Sequence, residues 1–220
     1  MRRSITLLAL SAGVLLACTA DAAKKAEPKT GEGKFMEEAK AGKPLYATIE
    51  TNLGTITAEL DSKQAPIAVE NFVGLASGEK EWTTPKGEKV KKPLYDGTIF
   101  HRVIPNFMIQ GGDPQGTGMG GPGFSIQDDF PNQHGLHFTK GILGMARTGA
   151  PNSGGSQFFI MVAAYPSLDG QYTVFGHVLS GQDVADKISQ VPRGPSDRPN
   201  TPVVIKKVTI SDKAPAAAKK

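Results

Sequence analysis

Apolar and polar residues alternate along much of the chain, which is the pattern of strands that bury one face. The clearest case is LYATIETNLGTITAELD, in which two alternating runs flank Asn52-Leu53-Gly54 and predict a β-hairpin. Further short apolar runs bring the predicted number of strands to eight. The strands are predicted at 45–50, 55–60, 98–104, 107–111, 141–145, 157–162, 174–178 and 203–210.

Two segments instead have the period of an amphipathic helix. One begins at Pro66 and ends before Gly78, and the other spans residues 182–190. Many short strands without regular strand–helix alternation favour an all-β-dominated fold, as do 26 glycines and 16 prolines. We therefore predict a closed eight-stranded antiparallel β-barrel capped by two α-helices. Side chains fill such a barrel, so a functional site would lie on its outside.

The N-terminus has a different character. Arg2 and Arg3 precede an apolar run at 5–17 that is short for a bilayer span, which is typical of a secretory signal peptide at residues 1–17. Leu15-Leu16-Ala17-Cys18 also resembles a bacterial lipobox, in which the cysteine carries the lipid after cleavage. Cys18 is the only cysteine in the chain, and an incidental residue at an ordinary cleavage site is the alternative interpretation.

The remaining chain is long enough for one sizeable core. Residues 18–43 are predicted to be a flexible tether, residues 44–212 the folded domain and residues 213–220 a disordered tail. We expect an exported lipoprotein that is anchored to a membrane through a lipid on Cys18 and faces the periplasm or the cell exterior.

Charge and composition exclude several classes of partner. Without residues 1–17 the chain has 23 basic and 21 acidic residues, a net charge of about +2, and many of its lysines lie in the tails. No nucleic-acid partner is therefore predicted. No cofactor is predicted either, and the protein is expected to be a monomer. His134 and His137 have a conceivable spacing for metal ligands, but no further cluster supports them, so no metal is predicted.

The segment FHRVIPNFMIQGGDP, at residues 100–114, has Arg102 and Gln110 among apolar residues but no nucleophile beside them. Together with GMARTGAPNSGGSQFFIMVA and PSLDGQYTVFGHV, it resembles the cyclophilin-type peptidyl-prolyl cis-trans isomerases over residues 46–210. The resemblance implies rotation about X–Pro peptide bonds of proline-containing polypeptides. It also implies an eight-stranded barrel with two capping helices, in agreement with the hydrophobic pattern.

The resemblance further implies roles for residues that match the motifs. Arg102 corresponds to the catalytic arginine, and Gln110 to a polar residue that could hold either the guanidinium or the substrate carbonyl. Phe107 completes the predicted catalytic group as part of the wall of a proline pocket. The predicted substrate-binding residues are Met108, Gly118, Ala146, Arg147, Thr148, Gln157, Phe159, Leu168 and Tyr172.

Three positions depart from the best-known members of the family. Ser167 stands in place of a tryptophan, Arg147 in place of an asparagine and Tyr172 in place of a histidine. Because Ser167 removes an apolar wall and an indole donor, we expect weak binding of cyclosporin A, a ligand that the resemblance implies. Arg147 is expected to change preference beside the proline more than activity.

We therefore expect an enzyme that assists the folding of exported proteins. A proline-peptide binding module or holding chaperone with little turnover is the alternative, and a structural envelope protein anchored by Cys18 is a third possibility. The presence of Arg102, Phe107, Gln110 and Phe159 favours the enzyme, since a structural protein needs no such groove.

Overall fold

The structure, a computed structural model, describes residues 33–130 and 135–215. The predicted signal peptide, Cys18, His134 and most of the predicted tail lie outside the described residues. The strands are β1 (Leu45–Thr51), β2 (Gly54–Leu60), β3 (Trp82–Thr83), β4 (Lys89–Val90), β5 (Arg102–Ile104), β6 (Met108–Gly111), β7 (Ile142–Met145), β8 (Phe158–Met161), β9 (Val174–Ser180) and β10 (Ile205–Ser211). The helices are α1 (Lys34–Lys40), α2 (Pro66–Ser77) and α3 (Gln182–Ser189), with 3-10 turns at Pro166–Leu168 and Pro195–Asp197.

The fold is β-dominated, and the eight predicted strands form one antiparallel sheet in the order β10-β1-β2-β9-β7-β8-β6-β5. The predicted closure of this sheet into a barrel is wrong, because β5 and β10 are its edges and form no ladder. An isolated bridge between Ile99 and Val204 links the two sides instead. Strand β5 has only three residues, and it is the segment before β5 that meets the start of β10: the N–H of Phe100 donates to the carbonyl of Val203, and the N–H of Ile205 to the carbonyl of Thr98.

The predicted helices are present as α2 and α3, but α1 is a third helix that the sequence pattern does not predict. It lies inside the segment that was predicted to be a flexible tether. Met36 and Ala39 of α1 are buried, and the N–H groups of Phe35 and Met36 donate to the carboxylate of Glu79. The tether prediction is therefore wrong for residues 34–40, because apolar burial and these hydrogen bonds attach α1 to the domain.

Both faces of strand β8 are buried, but only one of them packs against the main core. Phe158 and Ile160 belong to the main core, whereas Phe159 and Met161 belong to a second apolar cluster with Met108 of β6. This alternation follows from the two-residue period of a strand. The outer face of the sheet therefore carries an apolar patch of its own.

A loop rich in glycine, at residues 113–121, follows β6 and is organised around the buried carboxylate of Asp113. The carboxylate oxygens of Asp113 accept hydrogen bonds at 2.6–3.1 Å from backbone N–H groups of the loop, those of Gln115, Thr117, Gly118 and Gly120. Burial alone would raise the pKa of Asp113, but these donors outweigh burial and hold the pKa below its ordinary value.

We expect Asp113→Asn to lower the free energy of unfolding by about 2 kcal/mol at neutral pH. The asparagine side chain is uncharged, and its NH₂ group is a donor that cannot accept hydrogen bonds from the backbone N–H groups of the loop. A depressed pKa stabilises the fold above the pKa of the unfolded chain, about 3.9, and this contribution disappears as pH falls through the folded pKa. Urea unfolding of both proteins should therefore show curves that converge in acid. A difference that is the same at neutral and strongly acidic pH would contradict this explanation.

Candidate active site

Strand register lines up one row of residues across the outer face of the sheet. Arg102 of β5 lies opposite Gln110 of β6, and Gln110 lies opposite Phe159 of β8. Phe159 is in turn paired with Gly144 of β7, where a Cβ atom would overlap the Phe159 ring. The register therefore places a guanidinium, an amide and an aromatic ring side by side.

A cavity of about 200 Å³ opens beside this row, and we call it the apolar cavity. Its volume is below the roughly 300–1,000 Å³ of pockets for drug-sized ligands, so it suits a single small ring. Nine of the twelve predicted site residues line it. They are Arg102, Phe107, Met108, Gln110, Ala146, Arg147, Phe159, Leu168 and Tyr172.

Aromatic packing fixes the walls of the apolar cavity. The Phe159 ring stacks on Phe138 at 5.6 Å between centroids and meets the edge of Tyr172 at 5.8 Å. The Phe107 ring lies 4.5 Å from that of Tyr165, whose side chain is still 44% exposed. These contacts restrict the rings that a substrate would meet.

The three other predicted residues, Gly118, Thr148 and Gln157, line an adjoining groove of about 440 Å³ that we call the glycine-loop groove. Gln157 donates to the carbonyl oxygens of Gly118 and Gly120 at 3.0 and 2.8 Å, and accepts from Nε2 of Gln110 at 2.9 Å. Gly118 itself has a φ of 86° and lies over His101, a conformation and an approach that suit glycine. All twelve predicted residues therefore lie in two adjoining depressions.

Arg102 is held differently from what the sequence suggests. Its side chain is 43% exposed, and within residues 33–130 and 135–215 it donates no hydrogen bond. Nε2 of Gln110 donates to Gln157, and in the described part of the chain the Arg102 guanidinium donates no hydrogen bond to Oε1 of Gln110, so one of the two expected roles is not seen. The ion-pair partner of Arg102 is Asp197, with 3.9 Å between Nε and Oδ2.

Arg147, which stands in place of an asparagine, is pinned over aromatic rings. Its guanidinium carbon lies 5.1 Å from the Phe130 ring and 5.4 Å from the Tyr172 ring. Its Nε donates to the carbonyl of Gln171 at 2.8 Å. Such stacking suits the planar guanidinium. Arg147 therefore connects the loop at 146–150 with the ring at the base of the apolar cavity.

His101, next to Arg102, faces the interior and is 5% exposed. Burial lowers the pKa of His101, and the positive charges of Arg198 and Arg102 lower it further, against the opposing effect of Asp113. The imidazole therefore remains neutral near neutral pH.

Neither a metal site nor a membrane span is found in the described part of the chain. No group of three His, Cys, Asp or Glu residues there could hold a metal ion. His137, one of the two histidines with a conceivable spacing for metal ligands, forms a hydrogen bond with Asp169, with 2.7 Å between Nδ1 and Oδ2. No helix among the described residues is long and apolar enough to cross a membrane.

Sequence reasoning missed Tyr165, Phe138 and Asp197. Tyr165 and Phe138 are isolated aromatic residues in loops, where no period indicates what they contact. Asp197 lies in a loop about 95 residues from Arg102 along the sequence, so only the fold brings them together.

Comparison with known proteins identifies the family. The model of the family described as cyclophilin type peptidyl-prolyl cis-trans isomerase/CLD matches residues 46–210. Peptidyl-prolyl cis-trans isomerase B of Streptomyces anulatus is 48% identical over 171 residues, which are 76% of this chain and 96% of that protein. Peptidyl-prolyl cis-trans isomerase A of Mycobacterium tuberculosis is 47% identical over 169 residues, 75% of this chain and 91% of that protein.

Solved structures agree. A cyclophilin type peptidyl-prolyl cis-trans isomerase of Cryptosporidium parvum superposes with a TM-score of 0.68 at 34% identity, covering 78% of this chain and 99% of that chain. A second crystal structure of that protein, in the presence of the dipeptide Ala-Pro, gives a TM-score of 0.66. The chain therefore belongs to the cyclophilin-type peptidyl-prolyl cis-trans isomerases.

Proposed function

We propose that this peptidyl-prolyl cis-trans isomerase works by stabilising a twisted X–Pro bond, with the proline ring in the apolar cavity and Arg102 as hydrogen-bond donor. The observation that carries the proposal is the row of Arg102, Gln110 and Phe159 along that cavity. The Cryptosporidium relative crystallised in the presence of Ala-Pro supports a proline-sized ligand.

The reaction itself asks for little more than such a row. Rotation about the bond faces a barrier of ~18–20 kcal/mol because the amide nitrogen shares its lone pair with the carbonyl. Uncatalysed rotation takes tens of seconds, so millisecond turnover requires about four decades of acceleration, or about 5.5 kcal/mol. Selective stabilisation of the twisted state can supply this, and no covalent intermediate is needed.

Arg102 supplies the selective interaction. As the bond twists, the prolyl nitrogen becomes pyramidal and regains a lone pair that can accept a hydrogen bond. A guanidinium offers several donors in a fixed plane and keeps its proton at neutral pH. Because this acceptor exists only in the twisted state, the hydrogen bond lowers the barrier without stabilising the planar substrate.

The other residues hold the substrate. The proline ring is enclosed by Phe107, Met108, Phe159 and Leu168, which also exclude water. Water would stabilise the planar, charge-separated amide, so its exclusion favours the twisted state. The peptide chain continues into the glycine-loop groove, along the segment 146–148. Gln110, which donates to Gln157, keeps its own carbonyl oxygen available, and we assign to it the orientation of the peptide rather than of the guanidinium.

The clients and the location are part of the proposal. A signal peptide at residues 1–17 and a lipid on Cys18 would place the domain outside the cytoplasm, where it would assist folding of exported proteins. The order of Arg2, Arg3, the apolar run and a single cysteine supports this location. The protein acts there as a membrane-anchored monomer that faces the periplasm or the cell exterior.

We expect Arg102→Ala to lower kcat/KM for a short proline peptide about 100-fold, by analogy with removal of one transition-state donor. The control is Lys207→Ala, which removes an exposed positive charge from β10 and should leave the rate unchanged. A peptide isomerisation assay measures all three proteins. Equal rates for native protein and Arg102→Ala would refute the catalytic role, and a native rate no faster than spontaneous isomerisation would favour the binding module.

We expect native protein to bind cyclosporin A weakly and Ser167→Trp to bind it at least about tenfold more tightly, equivalent to about 1.4 kcal/mol. Ser167 is exposed in the 3-10 turn that carries Leu168, so an indole there adds an apolar wall and an N–H donor. Ser167→Ala is the control and should not change affinity. Isothermal titration calorimetry with cyclosporin A measures the dissociation constant of each protein. Tight binding by the native protein would show the expectation to be wrong.

Metabolic labelling with a radioactive fatty acid tests the anchor. We expect the native chain to incorporate the label and to sediment with membranes, and Cys18→Ala to do neither, because the thiol is the site of lipid attachment. Label in the Cys18→Ala protein, or none in the native chain, would argue for an incidental cysteine.

A further inference from the structure

The catalytic guanidinium assigned above requires a partner that fixes it. Arg102 is half-exposed, and among the described residues its guanidinium donates no hydrogen bond to its cross-strand neighbour Gln110, whose Nε2 donates to Gln157. Among the described residues, the charged group that approaches the guanidinium is the carboxylate of Asp197, whose Oδ2 lies 3.9 Å from Nε. Without this partner, the long Arg102 side chain would occupy several rotamers. Only some of those rotamers would direct its donors at a substrate.

A narrow hairpin presents Asp197 to Arg102. Arg193 and Pro199 form an isolated bridge, and the N–H of Gly194 donates to the carbonyl of Arg198 at 2.8 Å. Within the hairpin, Nε of Arg193 donates to Oδ1 of Asp197 at 3.1 Å. The carboxylate is therefore held through one oxygen and directs the other toward Arg102.

The tip of this hairpin has an uncommon backbone. Ser196 and Asp197 are consecutive non-glycine residues in the left-handed region, with φ values of 59° and 57°. Residues other than glycine seldom occupy this region, and such strain persists where the surrounding structure enforces it. On its far side, a guanidinium nitrogen of Arg198 donates to the carbonyl of Gly116, so the hairpin also contacts the glycine-rich loop.

We propose that Asp197 is a positioning residue for Arg102: it holds the Nε edge of the guanidinium and thereby orients the terminal nitrogens toward the twisted prolyl bond. The inference rests on the proposed function of Arg102. Because the pair is half-exposed, its effect on stability is small, and the orientation of the donor is where it acts. Asp197 is not among the residues that line the apolar cavity or the glycine-loop groove, so we expect its removal to lower kcat more than it raises KM.

Asp197→Asn is the test variant, since asparagine tolerates the left-handed conformation as well as aspartate does and only the charge is lost. We expect kcat/KM for a proline peptide to fall about fivefold with KM nearly unchanged, and the Nε–H resonance of Arg102 to broaden or shift. The matched control is Asp186→Asn. Asp186 pairs with Lys140 at 2.6 Å and is 38% exposed, against 36% for Asp197, so loss of an equivalent surface charge should leave the rate unchanged.

The same substitution in an Arg102→Ala background completes the cycle. If Asp197 acts through Arg102, Asp197→Asn changes nothing further there. A native kcat/KM for Asp197→Asn alone, or an equal fivefold loss in both backgrounds, would overturn the positioning role while leaving the catalytic role of Arg102 intact. A native rate for Arg102→Ala alone would instead overturn the proposed function, and this inference with it.

Discussion

The pairing of β6 with β8 is the constraint on which the site depends. Its register places Gln110 beside Phe159 and Met108 beside Met161, so that one face of both strands lines the outer cluster. A slip of one residue would turn Phe159 inward and Phe158 outward, and would lose both the cavity and the core contact of Phe158. One strand register therefore fixes both the core contacts and the site.

This dual burial explains why the site can be both rigid and accessible. The main core holds the strands from inside, and aromatic contacts of Phe138, Tyr172 and Tyr165 hold the pocket walls from outside. The glycine-rich loop that forms the adjoining groove is fixed by Asp113, whose carboxylate accepts hydrogen bonds from the backbone N–H groups of the loop. A reaction that only twists a bond needs such fixed surroundings more than it needs reactive groups.

The sequence predicted the eight strands, α2 and α3, and the structure brings the twelve residues named from the motifs into two adjoining depressions. The strands follow from local alternation, but the site residues came from matching motifs, because no period distinguishes Arg102 from a surface arginine. Helix α1 was missed because its seven residues are too few for a clear period and Glu79 anchors it from beyond β2. Barrel closure and the contact of Asp197 depend on distant segments, which local patterns do not report.

In the proposed mechanism Arg102 acts on the twisted bond rather than on peptide binding, and this is the claim that most needs a direct test. Exchange NMR of a proline peptide with native protein and Arg102→Lys separates the two, since lysine keeps the charge but loses the planar donor array. We predict that both proteins bind the peptide with similar affinity and that exchange between bound cis and trans isomers is slow in Arg102→Lys. Equally fast exchange in both proteins would contradict the claim.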